Sequence, residues 1–254
     1  MAFTHNEISA EQLRALLTGM RAAWARGENM MAFARNLLKR NDNPVMATGI
    51  AYDLQAGSYL QHALENPENR QRWCAQLADL IAPHLPEGGS LLEVGCGEAT
   101  TLAGVLANLP ASPSIALGFD LSWSRCAYGK TWLERMGQKA ELFVADLFHI
   151  PLADDSVDVL YTSHSLEPNG GREAAALKEA LRVARRAVVL VEPVYELASR
   201  EAQARMTQHG YVRNLGSVAK SLGYPAKECR LLDFCENPLN PSGVLRIEKS
   251  AIIP

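Results

Sequence analysis

No apolar run in the 254 residues is long enough to span a bilayer. The longest, such as Ala187 to Val191, fall far short of the roughly 20 residues a membrane helix needs, so no membrane partner is expected. The first residues, MAFTHNEISAEQLRALL, lack a cationic segment followed by an apolar one. That argues against a secretory leader and leads to the expectation of a soluble, cytoplasmic protein. Cysteine is sparse: Cys74, Cys96, Cys126, Cys229 and Cys235 form no Cys-x-x-Cys pair, and none stands at metal-ligand spacing from a histidine. Neither a disulfide framework nor a metal site is therefore expected. An excess of positive charge is also missing, since 25 Lys and Arg stand against 28 Asp and Glu for a net charge of −3. A phosphate backbone would find no global field to hold it, so nucleic acid is not expected as a partner.

What is present is an ordinary globular composition, 48% hydrophobic and 21% charged, on a length that suits one α/β domain carrying an extra helical segment. Apolar residues at helical spacing follow Ser9 through Met20 and resume from Met30 to Leu38. After the Asn41-Asp42-Asn43-Pro44 loop, a second helical stretch is expected from about Thr48 to Leu64 and a third from about Glu68 to Ala82. We expect residues 1–85 to form an N-terminal helical cap and 86–254 a core. Met20, Trp24, Met30, Met31 and Phe33 read as core of that cap, with an acceptor wall or a homodimer face as the alternative. Arg35, Lys39 and Arg40 read as a solvated basic face.

Past Gly89 the period changes. Short apolar runs at 90–94, 114–119, 140–144, 157–162 and 187–191 alternate with helical stretches at 101–107, 122–136 and 172–185. Strands alternating with helices of this length indicate right-handed crossovers and a parallel sheet. Helical stretches at 195–209 and 217–222 follow, and then two strand-like runs at 228–235 and 243–250. The short link between those two runs predicts a hairpin and an antiparallel edge. The fold class is thus α/β: a doubly wound, mostly parallel seven-stranded sheet with an antiparallel C-terminal edge strand, plus the helical cap.

Glu93-Val94-Gly95-Cys96-Gly97 closes the first strand and opens a helix. Its glycines permit a tight turn and close approach of a ligand to free backbone N–H groups. A ligand-free glycine turn is the plain alternative. A dinucleotide site is disfavoured, because Thr100 replaces the third glycine and Glu93 would repel a pyrophosphate; a nicotinamide-dependent oxidoreductase is therefore the weaker reading. Asp120, in Gly118-Phe119-Asp120-Leu121-Ser122, ends the second strand, where a carboxylate can accept both hydroxyl protons of a ribose; it could instead cap the next helix. Asp146, before Leu147, can accept from an adenine amine while Leu147 covers the ring.

Together, LLEVGCGEATTL, GFDLS, VADLFHIPLADDSVDVLYTSHSLEP and LKEALRVARRAVVLVEP resemble the successive motifs of class I S-adenosylmethionine-dependent methyltransferases over about Ser90 to Pro193. The resemblance implies S-adenosylmethionine as cofactor. It places Glu93, Gly95, Cys96 and Gly97 at the methionine part, Asp120 at the ribose, and Asp146 and Leu147 at the adenine, with Leu121 and Ser163 also at the cofactor. By the same resemblance, Tyr52 and Tyr59, in AYDLQAGSY, would lie over the cofactor. One departure from the pattern is the absence of a Pro-Gly-Gly-like turn before the fifth strand, where Arg182-Val183-Ala184-Arg185-Arg186 runs straight on.

Methyl transfer from a sulfonium needs alignment and exclusion of water more than any fixed catalytic group. Acceptor-side candidates lie beyond the fourth and fifth strands: His164, Glu167, Glu192, Tyr195 and Glu196. His164 is the candidate general base for a hydroxyl acceptor, with His149 its rival. The expected activity is methyl transfer to oxygen or nitrogen of a small-molecule acceptor. The alternative is a protein that binds S-adenosylmethionine or S-adenosylhomocysteine as a sensor or scaffold, without transferase activity.

Overall fold

The structure, a computed structural model, describes residues 8–249. The extreme ends of the expected cap and core, and Ser250 at the end of the last expected strand, lie outside the described residues. Five helices come first: α1 (Ala10–Ala25), α2 (Met30–Leu38), α3 (Val45–Leu54), α4 (Ser58–Glu65) and α5 (Pro67–Ile81). Ser9 starts α1 through a reciprocal capping box with Gln12, Asn29 caps α2, and Pro67 opens α5 at a position where its missing N–H costs nothing. The helix expected over Thr48–Leu64 is two helices. Gly57, at φ +98°, interrupts it in a backbone conformation that other residues enter only with strain.

The sheet is built from β1 (Ser90–Val94), β2 (Ile115–Asp120), β3 (Glu141–Val144), β4 (Val157–Ser163), β5 (Ala184–Pro193), β6 (Glu228–Leu231) and β7 (Ser242–Glu248), in the order β3-β2-β1-β4-β5-β7-β6. Crossover helices α6 (Thr100–Asn108), α7 (Trp123–Arg135) and α8 (Glu173–Val183) connect the parallel strands, and α9 (Arg200–His209) and α10 (Leu215–Ser221) precede β6. Seven strands, mostly parallel with an antiparallel C-terminal strand, is the expected fold class. In detail, β7 pairs antiparallel to both β5 and β6 and sits one place in from the edge, which β6 occupies. The helix expected over 195–209 begins only at Arg200, after a short 3-10 turn. Where the Pro-Gly-Gly-like turn is missing, α8 passes into β5 with no intervening residue.

Alternation along each strand supplies two cores. Leu91, Val159, Tyr161, Val189 and Val244 face one side with Trp73, Leu77 and Ile81 of α5 and Leu102 of α6. Leu92, Leu160, Val188, Leu190 and Leu245 face the other with Leu177 and Leu181 of α8. Both faces are covered, as a parallel sheet requires. A third, smaller core of Leu16, Met20, Ala23, Met30, Ala34, Ala47 and Ala51 holds α1 to α3 together, while Ala63 of α4 and Trp73 of α5 join the core of the sheet. Among the described residues no helix is long and apolar enough to cross a membrane, and no group of His, Cys, Asp or Glu could hold a metal ion.

Candidate functional site

The order of strand addition reverses at β1, which pairs parallel with both β2 and β4, and these lead to opposite halves of the sheet. Open α/β sheets bind ligands beyond the carboxyl ends of strands at such a point. There the structure holds a cavity of about 540 Å³. Residues of α3 and α4 cover it on one side and the 235–242 loop closes its far end.

Gly95 and Gly97 at the end of β1 both have positive φ, and a Cβ on Gly95 would lie 2.3 Å from the Cβ of Ser165. Only glycine lets the turn pass beneath the loop after β4. Asp120 is buried and stitches two loops: Oδ2 accepts from Gly97 N at 3.0 Å and Oδ1 from Ser122 N at 2.8 Å. The cap of α7 is Ser122, whose Oγ accepts from Arg125 N, so Asp120 is not the helix cap the alternative expected, and each of its oxygens keeps a further lone pair for a ligand. Glu93 is 1% exposed and accepts from the Tyr161 hydroxyl at 3.0 Å. Burial pushes its carboxyl up to about 8 against the Tyr161 hydrogen bond and the charge of Arg70. Asp146 accepts from Phe148 N at 3.0 Å.

All twelve sequence-derived residues line this one cavity: Tyr52, Tyr59, Glu93, Gly95, Cys96, Gly97, Asp120, Leu121, Asp146, Leu147, Ser163 and His164. Other acceptor-side candidates lie elsewhere. Glu192 is buried, and its carboxylate accepts from the backbone N–H groups of Ser165, Leu166 and Glu167, so it braces the loop after β4 from behind. Burial pushes its carboxyl up to about 7, against the nearby His164 and the Leu166 N–H. Tyr195 stacks under Arg213, and Glu196 accepts from Asn214 N. His149 lies 3.6 Å from Asp146 with its side chain mostly exposed.

Sequence reading missed the groups that hold the cavity's walls. Arg125, 2% exposed on α7, is sandwiched between the rings of Tyr52 and Tyr59, with its guanidinium carbon 4.4 Å from each centroid. Glu98 is fully buried, and its two oxygens accept from Gly57 N at 2.8 Å and Leu60 N at 2.7 Å, capping α4 from the glycine loop. Arg70 donates to the hydroxyls of Thr100 and Thr101, and its buried Nε has no partner. Trp73 donates to Ser163 Oγ at 3.3 Å and meets the His164 ring edge-on.

His164 stands at φ +58°, a conformation that strains a residue with a Cβ and is held by its N–H to Val191 O. Its Nδ1 lies 3.0 Å from Glu167 Oε2 and its Nε2 2.7 Å from Ser242 Oγ. Burial opposes the charged ring, yet Glu167, by hydrogen bond and charge, with Glu192 and Cys235, holds its pKa above the ordinary 6.5. Both ring nitrogens are thus engaged within the protein.

The site can be tested against S-adenosylmethionine on its own chemistry. Glu93, Asp120 and Asp146 place carboxylates at the carboxyl ends of three adjacent strands, matching an ammonium, two ribose hydroxyls and an adenine amine. The unpaired Nε of Arg70 matches a carboxylate, and the Gly95–Gly97 turn leaves room for close approach. The residues fit the group.

Residues 91–187 match the family model described as a methyltransferase domain. No curated protein matches the sequence. Among solved structures, magnesium protoporphyrin IX methyltransferase from Synechocystis PCC 6803, with bound S-adenosylhomocysteine, is similar at TM-score 0.57 and 12% identity; the match covers 72% of this chain and 84% of that one. Geranyl diphosphate C-methyltransferase from Streptomyces coelicolor A3(2) is similar at TM-score 0.53 and 10% identity, over 68% and 78% of the two chains. The [4+2]-cyclase SpnF is similar at TM-score 0.55 and 16% identity, over 69% and 81%. At these identities the structures establish a shared fold.

Proposed function

We propose that this chain, whose residues 91–187 match the methyltransferase-domain family model, is a class I S-adenosylmethionine-dependent methyltransferase that methylates an oxygen or nitrogen of a small-molecule acceptor. The observation that carries the proposal is the continuity of one cavity from the carboxylates at the carboxyl ends of β1, β2 and β3 to a polar far end formed by His164 and the 235–242 loop. One part suits the cofactor and the other the acceptor.

In this reading Glu93 and Arg70 hold the charged ends of the methionine part, Asp120 the ribose hydroxyls, and Asp146 with Leu147 the adenine. S-Adenosylmethionine, when bound, supplies a methyl group activated on a sulfonium. The chain's own contribution is placement and exclusion of water: Tyr52, Tyr59 and Arg125 cover one side, and Trp73 fixes Ser163. The enclosing of the cavity by α3, α4 and the 235–242 loop supports a small acceptor over a macromolecular one.

Calorimetry with S-adenosylhomocysteine tests the assignment. Wild type binds, and Asp120→Ala weakens binding by about 1.5–3 kcal/mol, the range for hydrogen bonds to a charged group. Equal affinity in the two proteins would remove the ribose assignment, and no binding to wild type would remove the cofactor.

A further inference from the structure

The far end of the cavity carries more polar machinery than binding alone requires. Ser242, 2% exposed at the start of β7, lines the cavity with its Oγ 2.7 Å from His164 Nε2. On the other side of the ring, Glu167 Oε2 lies 3.0 Å from Nδ1. Asn240 completes the group, with Nδ2 donating to Glu167 Oε2 at 3.2 Å. A carboxylate only accepts, so this contact fixes which end of the amide faces Glu167 and leaves Oδ1 as the free end. That Oδ1 is buried in the wall and has no partner. Unpaired buried acceptors are uncommon in folded proteins and call for a donor.

We propose that Asn240, Ser242 and His164 form the subsite that receives the protic group of the methyl acceptor, a hydroxyl, with Glu167 as the positioning residue behind them. The proposal rests on the cofactor reading above. Asn240 Oδ1 takes a hydrogen bond from a second donor of the acceptor, and Ser242 Oγ accepts from its reacting hydroxyl, whose single proton can serve only one of the two. Ser242 can send its own proton to His164 Nε2 or to the Asn240 carbonyl 3.3 Å away, so its hydroxyl can turn toward the ring when the ring is neutral. During transfer the acceptor oxygen forms the new O–C bond as the S–C bond breaks, with its electron pair left on sulfur. The acceptor's proton passes to Ser242 Oγ, and the Ser242 proton passes to His164 Nε2. The imidazolium so formed donates from Nδ1 to the Glu167 carboxylate.

A hydroxyl, rather than a neutral amine, is the acceptor that needs such a chain. An alcohol oxygen attacks poorly while it keeps its proton, whereas a neutral amine attacks with its lone pair and loses the proton afterwards. The groups around the ring set the base strength. Glu167 and Glu192 face it from the β4 loop and β5, Cys235 and Asn240 from the 235–242 loop, and the Trp73 edge from α5. The carboxylates dominate, so the ring is a stronger base than free imidazole.

Two readouts besides turnover test this on the full chain. In the first, ¹⁵N imidazole NMR follows His164 with and without S-adenosylhomocysteine. The expected result is a titration above 6.5 that moves down in Glu167→Gln. In the second, calorimetry compares S-adenosylhomocysteine with sinefungin, whose amine stands in place of the sulfonium methyl and points a donor toward the acceptor subsite. Asn240→Ala and Ser242→Ala should each bind sinefungin about tenfold or more weakly while keeping S-adenosylhomocysteine affinity within about twofold. A wild-type titration at or below 6.5, which needs no variant, overturns the relay. So does an equal loss of both ligands in the variants. Failure of S-adenosylhomocysteine to bind wild type strikes the cofactor reading instead, and the two failures are thereby told apart.

Discussion

At the scale of single residues, Glu93 shows how the site stores electrostatic energy. Its carboxyl is raised to about 8 from the ordinary 4.5 because burial penalises the charged form. A raised acid contributes stability fully below about pH 4.5 and loses it as pH rises through about 8. Glu192, at about 7, acts in the same sense. The ligand-free protein is therefore expected to lose stability between pH 5 and 8, and Glu93→Gln to remove part of that slope and to melt above wild type at pH 8. Thermal unfolding at several pH values checks the sign; a variant with an unchanged slope would refute the assignment. Arg125 supplies a second prediction. Arg125→Met removes stacking on two rings and hydrogen bonds to Tyr52 O and Gln55 Oε1, an expected loss of about 2–3 kcal/mol read from urea midpoints. Arg125→Lys should recover only part of it, since an ammonium cannot fill the gap between rings as a planar guanidinium does. Residues such as Glu93, Gly97, Asp120 and Asp146 were legible because each sits at a strand-to-loop junction, which the change of hydrophobic period marks. Arg125, Glu98, Arg70 and Trp73 were not. Their partners are distant in the sequence, and a buried arginine or glutamate reads like a surface one until packing is known. Glu98 lay inside the quoted motif but was given no role there.

Among the elements, the helices and strands of the core follow closely from apolar period, because the central strands β1, β4 and β5 are buried on both faces and rich in apolar residues. Where sequence and structure differ, a single residue decides. Gly57 splits the expected 48–64 helix, and that break lets α4 present its first turn to Glu98. The order of the last two strands was less legible, since a hairpin pattern does not say which of its strands pairs with β5. Glu98→Gln keeps the shape of the cap but leaves one oxygen to do the work of two. Amide exchange at Gly57 or Leu60 is expected to accelerate by about tenfold, as loss of about 1.4 kcal/mol would give, with α8 and β5 amides unchanged. Uniform acceleration across the chain would instead mark a global loss of stability.

On the scale of the whole molecule, the three cores predict how the chain tolerates shortening. Helix α5 contributes Trp73, Leu77 and Ile81 to the core on one face of the sheet, whereas α1 to α3 close a core of their own. A chain beginning at residue 86 should fail to fold. One beginning at Pro67 should retain the cooperative melt and far-ultraviolet circular dichroism of the sheet domain while losing S-adenosylhomocysteine affinity, because Tyr52, Tyr59 and the Glu98 contacts to α4 are gone. A folded protein from residue 86 would contradict the division of cores. The Glu98 contacts also bear on how a ligand leaves. The loop that carries Glu98 lines the cavity through Gly95 and Gly97, and the helix it caps carries Tyr59 over the opening. Parting α4 from the loop breaks two hydrogen bonds to one buried carboxylate at once, so ligand entry and exit past Tyr59 are both expected to quicken in Glu98→Gln, as stopped-flow binding would show.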